Sequence, residues 1–403
     1  MEENSNRIRQ IVIVAVTMAA VILLSFAMYK ANPIDFNMYD SSSQKYCKGV
    51  VTKVNDEDLN DAENMPGWKT GNQNVTVKIR NGEFKGKEVT FDNNLSSTHS
   101  VLVKKGTHVI VNVDAPEGIE PYFTIYQYDR TTGIIGVMLI FLALMALVGR
   151  WKGVRAALGL LSAAILIAFV LIPAIYNGKP PVLMTLLVCA LITIVSLMFL
   201  NGPNPKTFAA TLSTIIGLSL SAAFYGIFSL VLHMTGYNTP EAEDLQMISS
   251  ATDLSIKSIM FCGILISSLG ALMDIAMDIV SPLYEMKKHK PEITLREMFN
   301  SGMSMGRDMI GTLCQTLILA FAGSSLATLL VVVSYGTQFY QFICSDMMMV
   351  ELLQSMTGSA AVVIAVPVSA LLSCLFFGRN SKAETVPASG NAKGVKKKSA
   401  KKK

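Results

Sequence analysis

The feature that most constrains this chain of 403 residues is a series of eight apolar runs, each roughly 16 to 28 residues long. A helix needs about 20 apolar residues to cross a hydrocarbon core of about 30 Å, so each run is close to the length of a membrane span. Only 16% of the residues are charged, against about 25% in an average soluble domain. The pattern predicts an α-helical polytopic membrane protein with eight transmembrane helices, and it excludes a disordered chain or an ordinary soluble enzyme.

The first run follows Arg7 and Arg9 and is long for the apolar core of a cleaved signal peptide, so we expect a retained signal anchor. A polar region, residues 31–130, separates it from the other seven runs. The eight predicted spans are Ile11–Met28, Gly133–Val148, Val154–Tyr176, Val182–Leu200, Phe208–Met234, Ile256–Val280, Met309–Tyr335 and Leu352–Phe377.

The distribution of lysine and arginine sets the predicted orientation, because cytoplasmic loops carry an excess of these residues. With the N-terminus inside, Gly149–Gly153, Asn201–Lys206 and Leu283–Asp308 are cytoplasmic, and all carry basic residues. The opposite loops Thr235–Ser255 and Gly336–Glu351 carry none. We therefore predict a cytoplasmic N-terminus with the signal-anchor helix over 1–30, an extracytoplasmic domain over 31–130, a seven-helix membrane domain over 131–378, and a cytoplasmic, lysine-rich, disordered tail over 379–403.

Residues 31–130 have the pattern of a small all-β domain. Short runs with strand character, separated by turn signals such as Asn81-Gly82, favour a five-stranded barrel or sandwich that is OB-like. The region has 11 basic and 14 acidic residues, so it lacks the positive footprint of a nucleic-acid binder, and we expect an extracytoplasmic protein partner instead. The predicted strands are Cys47–Val54, Asn74–Arg80, Lys87–Phe91, His108–Val113 and Tyr122–Tyr128.

The tail beginning at Arg379 contains nine basic residues and one acid. Directly after a span, such a run is typical of a positive-inside anchor or of contact with anionic lipid, worth about 1 kcal/mol per basic residue. We therefore expect the lipid bilayer as its partner and no nucleic acid.

The sequence predicts no metal or cofactor site. Asp56-x-Asp58-x-Asn60 begins like a calcium loop, but Asp61 replaces the required glycine, so we expect a solvated acidic loop there. Cys47 and Cys344 are the cysteines outside the predicted spans, and whether they form a disulfide stays open.

One part of the sequence resembles a known family. The run Gly270-Ala-Leu-Met-Asp274-Ile-Ala-Met-Asp278, the run SGMSMGRDMIGT from Ser301 and the run TLILAFAG from Thr316 are similar to the YibE/F-like family of bacterial multi-pass membrane proteins. The layout of one span, an extracytoplasmic domain and seven further spans is similar as well. The resemblance implies a protein of the bacterial plasma membrane for which transport is often supposed, and it transfers no catalytic or ligand residues.

The candidate site lies on the two spans around the loop Leu283–Asp308. Asp274 and Asp278 are four residues apart and share a helix face, and charged residues in spans generally line a protein interior or a wet cavity. At about 1.5 Å per residue, Asp274 lies roughly 27 Å along the helix from Ile256, near the inner edge of the hydrocarbon core.

Arg307 and Asp308 stand at the inner end of the next span, and Gln315 lies about two turns deeper; these three residues complete the candidate cluster. In the functional interpretation, Asp274 accepts a cation or proton, Asp278 is an entry site and Arg307 is a competing counter-ion. In the structural interpretation, Arg307 neutralises an aspartate and fixes helix packing. The small residues predicted at helix contacts are Gly270, Gly302, Gly306 and Gly311.

The sequence contains no Walker A motif, dinucleotide fingerprint, zinc-protease motif or nucleophile elbow, so we expect neither an enzyme nor an ATP-driven motor. The leading hypothesis is a secondary transporter or permease component that moves a small ion or solute through the aspartate cluster. The alternative is a non-catalytic envelope scaffold whose outer β domain recruits a protein partner.

Overall fold

The computed structural model describes residues 2–34, 43–62, 65–116, 118–234, 245–246 and 255–378, with side chains from Gln10 onward. The chain divides into two compact units, Ile34–Ala157 and a second unit made of Met1–Pro33 with Leu158–Lys403. The predicted lysine-rich tail and most of the loop Thr235–Ser255 lie outside the described residues.

The first unit contains a five-stranded antiparallel sheet in the order β3-β2-β1-β4-β5. Its two edge strands approach each other, because the rings of Phe91 on β3 and Phe123 on β5 stack with centroids 6.2 Å apart. The sheet is therefore a partly open barrel, as expected for an OB-like domain, and all five predicted strands are confirmed. The strands are β1 Gln44–Asp61, β2 Lys69–Ile79, β3 Glu88–Leu95, β4 His108–Asp114 and β5 Tyr122–Tyr128.

Strand β1 extends further than the sequence predicts. Asp56, Asp58 and Asn60 pair with residues of β2, so the predicted solvated loop at this position is wrong. Side chains on the solvent face of a strand can be acidic while the backbone stays paired, which makes a polar strand resemble a loop in sequence.

The helices carry most of the chain. They are α1 Glu2–Ala31, α2 Thr131–Leu166, α3 Ile172–Tyr176, α4 Pro181–Asn201, α5 Pro205–Val231, α6 Ile256–His289, α7 Leu295–Ser324, α8 Leu326–Ser334, α9 Phe339–Ile343 and α10 Asp346–Gly378, with a π-helical turn at Ile167–Leu171. Within the described ranges, six helical segments are long and apolar enough to cross a membrane, or seven if the bent pair α7 and α8 is one span. The helical membrane class is confirmed.

The span count is lower than the predicted eight because Thr131–Tyr176, where we predicted two spans, is counted as one helical segment although it contains a kink. This segment bends sharply at Arg150, which has a φ of 49° and a ψ of −136°. A Cβ at Gly153 would contact the carbonyl oxygen of Met145, whereas residues eight apart in a straight helix are separated by about 12 Å.

Helix α10 packs against α5, α6 and α7 to form the core of the second unit. Small residues permit this close approach: a Cβ at Gly217 of α5 would lie 3.1 Å from Leu272 Cδ2 of α6 and 3.7 Å from Ala365 Cβ of α10. Between helices in lipid, such packing replaces the hydrophobic driving force of soluble proteins. Some buried hydroxyls are satisfied inside their own helix, since Ser213 donates to the Ala209 carbonyl at 2.8 Å.

Candidate functional site

A short, well-defined turn joins α6 to α7 and sets their relative positions. The Thr294 hydroxyl accepts a hydrogen bond from the Glu297 N–H at 3.2 Å, and the Glu297 carboxylate accepts one from the Thr294 N–H at 3.0 Å. This capping box begins α7 at Leu295. The Lys287 ammonium, in the last turn of α6, donates a hydrogen bond to the Pro291 carbonyl at 2.8 Å and so ties the turn to the end of α6. The turn therefore connects two helices that contact each other.

One face of α6 is small or polar from Gly263 to Asp278, about half of the helix. Its residues are spaced three or four apart, so they lie along one line of the helix. A Cβ at either of its two glycines would meet no atom within 4 Å, whereas Leu272, Ile275 and Ile279 on the opposite face are fully buried. We call this exposed face the polar stripe; it consists of Gly263, Ser267, Gly270, Asp274 and Asp278.

The polar stripe is poorly suited to contact with lipid. A carboxylate facing hydrocarbon is unfavourable, and ionisable residues within spans therefore face a bundle interior or a water-filled cavity. Asp274 and Asp278 are exposed, and the described residues offer neither side chain a hydrogen bond or an ion pair. This is the surface of α6 that a polar solute or an ion could follow.

The structure places Arg307 and Asp308 on α7 at nearly the same distance from the turn as Asp278, about 17 to 20 Å along each helix. Both side chains are exposed, and the described residues include no ion pair between Arg307 and either aspartate of the polar stripe. Gln315 is also exposed, about two turns further along α7. The residues of the predicted cluster are thus separate side chains spread along α6 and α7.

The four glycines predicted at helix contacts divide into two kinds. Gly302 and Gly306 are buried against α10: a Cβ at Gly302 would lie 3.0 Å from Ala370 Cβ, and a Cβ at Gly306 would overlap the Val366 side chain. Gly270 and Gly311 are exposed, and a Cβ at either would meet no atom within 4 Å. The same residue type therefore permits close packing at one pair of positions and leaves an open surface at the other.

A cavity of about 450 Å³ lies where α6 and α10 begin. Gly263 of the polar stripe lines it, and so does Glu351, whose Oε2 is buried without a hydrogen-bond partner among the described residues. A buried carboxylate oxygen without a partner is unfavourable, so this atom is available for a ligand. We call this space the Glu351 cavity; its other polar lining residues are Ser324, Ser325, Thr328 and Gln354.

The helical segment made of α7 and α8 is broken beside the Glu351 cavity. Helices α7 and α8 meet at Ser325 with a bend of 55°. The hydroxyls of Ser324 and Ser325 both donate to the Phe321 carbonyl, at 2.8 Å and 3.0 Å. Because their protons are used there, the oxygen lone pairs stay free to accept a hydrogen bond or to bind a cation.

Sequence reasoning missed the Glu351 cavity for two reasons. It assigned Glu351 to a loop, although the residue lies in the second turn of α10, and it predicted one continuous span over Met309–Tyr335. The available signals were the consecutive Gly323-Ser324-Ser325 inside an apolar run, and the spacing of three residues between Glu351 and Gln354.

The described part of the chain contains no group of three or more His, Cys, Asp or Glu side chains positioned to hold a metal. Cys47 and Cys344 are both free thiols. Cys47 is buried in the barrel, and this burial raises the pKa of its thiol above the ordinary value.

Family comparison covers both parts of the molecule. Residues 137–379 match the family model described as YibE/F-like protein. The chain belongs to the YibE/F-like family. Residues 38–128 match the YibE/F family N-terminal domain, which contains the β-barrel. The resemblance predicted from the runs at Gly270, Ser301 and Thr316 is therefore confirmed, and the polar stripe and the Glu351 cavity lie within the matched region. No curated protein and no solved structure matched this YibE/F-like chain.

Proposed function

We propose that this YibE/F-like protein is a secondary transporter, or the permease component of one, that moves a small ion or solute along the polar stripe of α6. The observation that carries the proposal is the stripe itself. It places five small or polar residues on a helix long and apolar enough to cross a membrane, and its two carboxylates have no partner among the described residues. Ionisable residues in spans commonly mark ion pathways and proton relays.

The length of the polar stripe supports this function. From Gly263 at the Glu351 cavity to Asp278 the helix rises about 22 Å, which is most of a hydrocarbon core of about 30 Å. Gly263 and Gly270 leave room for water because no side chain of the described residues occupies the surface there. In this mechanism Asp274 accepts the transported cation or proton, Asp278 is the entry site at the far end, and Arg307 competes as a counter-ion.

The proposal includes an orientation and a location. The protein lies in the bacterial plasma membrane with both termini cytoplasmic and the β-barrel outside, a placement supported by the lysine and arginine bias of the loops. The lysine-rich tail contacts anionic lipid on the cytoplasmic side. The protein catalyses no covalent reaction and uses no ATP.

Flux through proteoliposomes tests the proposal. The purified protein is reconstituted and assayed with Na⁺, K⁺, H⁺ and small anions, as wild type, as Asp274→Asn and as Glu292→Gln. Glu292 is an exposed carboxylate in the α6–α7 turn, outside the polar stripe, and serves as the matched control. We expect flux in the wild type, strong loss in Asp274→Asn because the acceptor charge is gone, and unchanged flux in Glu292→Gln.

Two results would contradict the proposal in different ways. Equal flux in Asp274→Asn and wild type would remove the aspartate from the mechanism. No flux of any species in well-inserted wild-type protein would favour the alternative, a scaffold whose β-barrel recruits a protein partner.

A further inference from the structure

We infer that the Glu351 cavity binds a monovalent cation, with Glu351 as the charged ligand and oxygen atoms of Ser325, Thr328 and Gln354 as neutral ligands. The inference rests on the proposed transport function and deepens it. It assigns a loading site at the end of α6 opposite Asp278 and makes an alkali cation the transported or coupling species.

The charge of the cavity favours one positive ion. Glu351 is the charged side chain in the described lining, and no lysine or arginine lines the cavity to neutralise it. Its Oε2 is buried and has no hydrogen-bond partner among the described residues. A single carboxylate balances one monovalent cation, whereas protein sites for Ca²⁺ commonly use several carboxylates. The same carboxylate would repel an anion.

The neutral lining groups are suited to a hard cation. Hydroxyl and amide oxygens are ligands that hard cations prefer. The Ser325 side chain is buried, and its proton is donated to the Phe321 carbonyl at 3.0 Å, so its oxygen can present a lone pair to a cation. Thr328 is one turn further along α8, and Gln354 is one turn after Glu351 on α10. Two helices thus supply oxygen ligands to one cavity.

The break between α7 and α8 is a third, independent observation. Irregular backbone within a span is tolerated where protein buries it or where it lines a cavity. In many secondary transporters, discontinuous helices form the substrate and coupling-ion sites. Here the 55° bend occurs at Ser325, which itself lines the Glu351 cavity.

The cavity also connects to the proposed path. Gly263 belongs both to the cavity lining and to the polar stripe, and the next stripe residue, Ser267, is one turn further along α6. An ion released from Glu351 therefore reaches a small, open helix surface that leads toward Asp274.

Equilibrium binding of radioactive sodium to the full chain in lipid nanodiscs tests the site without requiring transport. Choline keeps the ionic strength constant, and K⁺ is used as a competitor. We expect saturable binding to the wild type and an affinity lower by about 10-fold or more in Glu351→Gln, because a charged ligand is lost. Thr328→Val, which keeps the side-chain shape, should weaken binding by about 2- to 5-fold through loss of one oxygen ligand.

Two further variants complete the design. Glu292→Gln should keep wild-type sodium binding, because Glu292 is an exposed carboxylate in the α6–α7 turn, outside both the Glu351 cavity and the polar stripe. If size-exclusion chromatography shows that Glu351→Gln is misfolded, Thr328→Val and Gln354→Leu test the cation site in its place. A cation site requires both of these variants to bind sodium more weakly than wild type.

The outcomes separate this inference from the proposed function. The absence of saturable binding of Na⁺ or K⁺ to the wild type, or unchanged binding in a folded Glu351→Gln variant, would overturn the cation site even if flux is present. Saturable binding that Glu351→Gln weakens, in a protein that shows no flux, would uphold the site and overturn transport.

Discussion

Two buried amides of the β-barrel and one carboxylate of the helical bundle differ in their hydrogen-bond partners. In the barrel, the Gln73 amide donates to the Val103 carbonyl at 3.1 Å and accepts from the Val103 N–H at 3.0 Å, while the Asn93 amide donates to the Val101 carbonyl at 2.9 Å. In the bundle, the Glu351 Oε2 has no partner among the described residues. The difference teaches that Gln73 and Asn93 use their buried amides to hold the barrel together, whereas Glu351 in the bundle has a carboxylate oxygen available for a ligand.

The largest expected effect concerns how the bundle is held together. Gly306→Leu would force a side chain into Val366 of α10, and overpacking of this kind costs about 1–3 kcal/mol or more. Gly311→Leu, five residues later on α7, is the matched control because a Cβ there meets no atom within 4 Å. We expect a strongly lowered melting temperature for detergent-solubilised Gly306→Leu, and a value near wild type for Gly311→Leu. Equal destabilisation of both variants would show that the helix contacts have been assigned to the wrong face of α7.

An effect of similar size is expected in the barrel. Gln73→Ala would leave the Val103 N–H and C=O without their side-chain partner, at a cost of about 1–3 kcal/mol for each group left unpaired. Hydrogen exchange of the full chain should become faster in β2 and around Val103. Asn94→Ala, at an exposed position of β3, should leave exchange unchanged.

The same exchange experiment can break the comparison between the two regions. Asp274→Asn should leave exchange in α6 at its wild-type rate, since no described residue bonds to the Asp274 side chain. If Gln73→Ala has no effect, or if Asp274→Asn loosens the bundle, Gln73 and Asp274 do not have the different roles assigned to them here.

Regular local patterns made much of the fold predictable. The alternation of residues predicted a strand at His108–Val113, and β4 occupies His108–Asp114, because strand faces alternate in every sheet. Apolar runs predicted the helices for a similar reason, since a membrane span must hydrogen-bond its own backbone. Such signals lie within one segment and need no knowledge of its neighbours.

The candidate site was predicted in part. Asp274 and Asp278 were found because a charge in a span is conspicuous, and their shared face follows from a spacing of four. Which glycines pack depends on where α10 crosses α7, and no local pattern shows that Gly306 meets Val366 while Gly311 meets nothing. The break at Ser325 was missed because serine is common in continuous membrane helices, where its hydroxyl bonds to a preceding carbonyl.

The central claim is that the polar stripe of α6 faces water rather than lipid, and thiol labelling tests it most directly. In a cysteine-depleted background, Gly270→Cys is compared with Leu272→Cys on the buried face of α6 and with Leu319→Cys, which is exposed on α7. A charged thiol reagent reacts with thiolate, which forms in water and not in hydrocarbon. We predict rapid labelling of Gly270→Cys and slow labelling of both leucine positions. Labelling of Gly270→Cys as slow as that of Leu319→Cys would show that the polar stripe faces lipid and would contradict the proposed path.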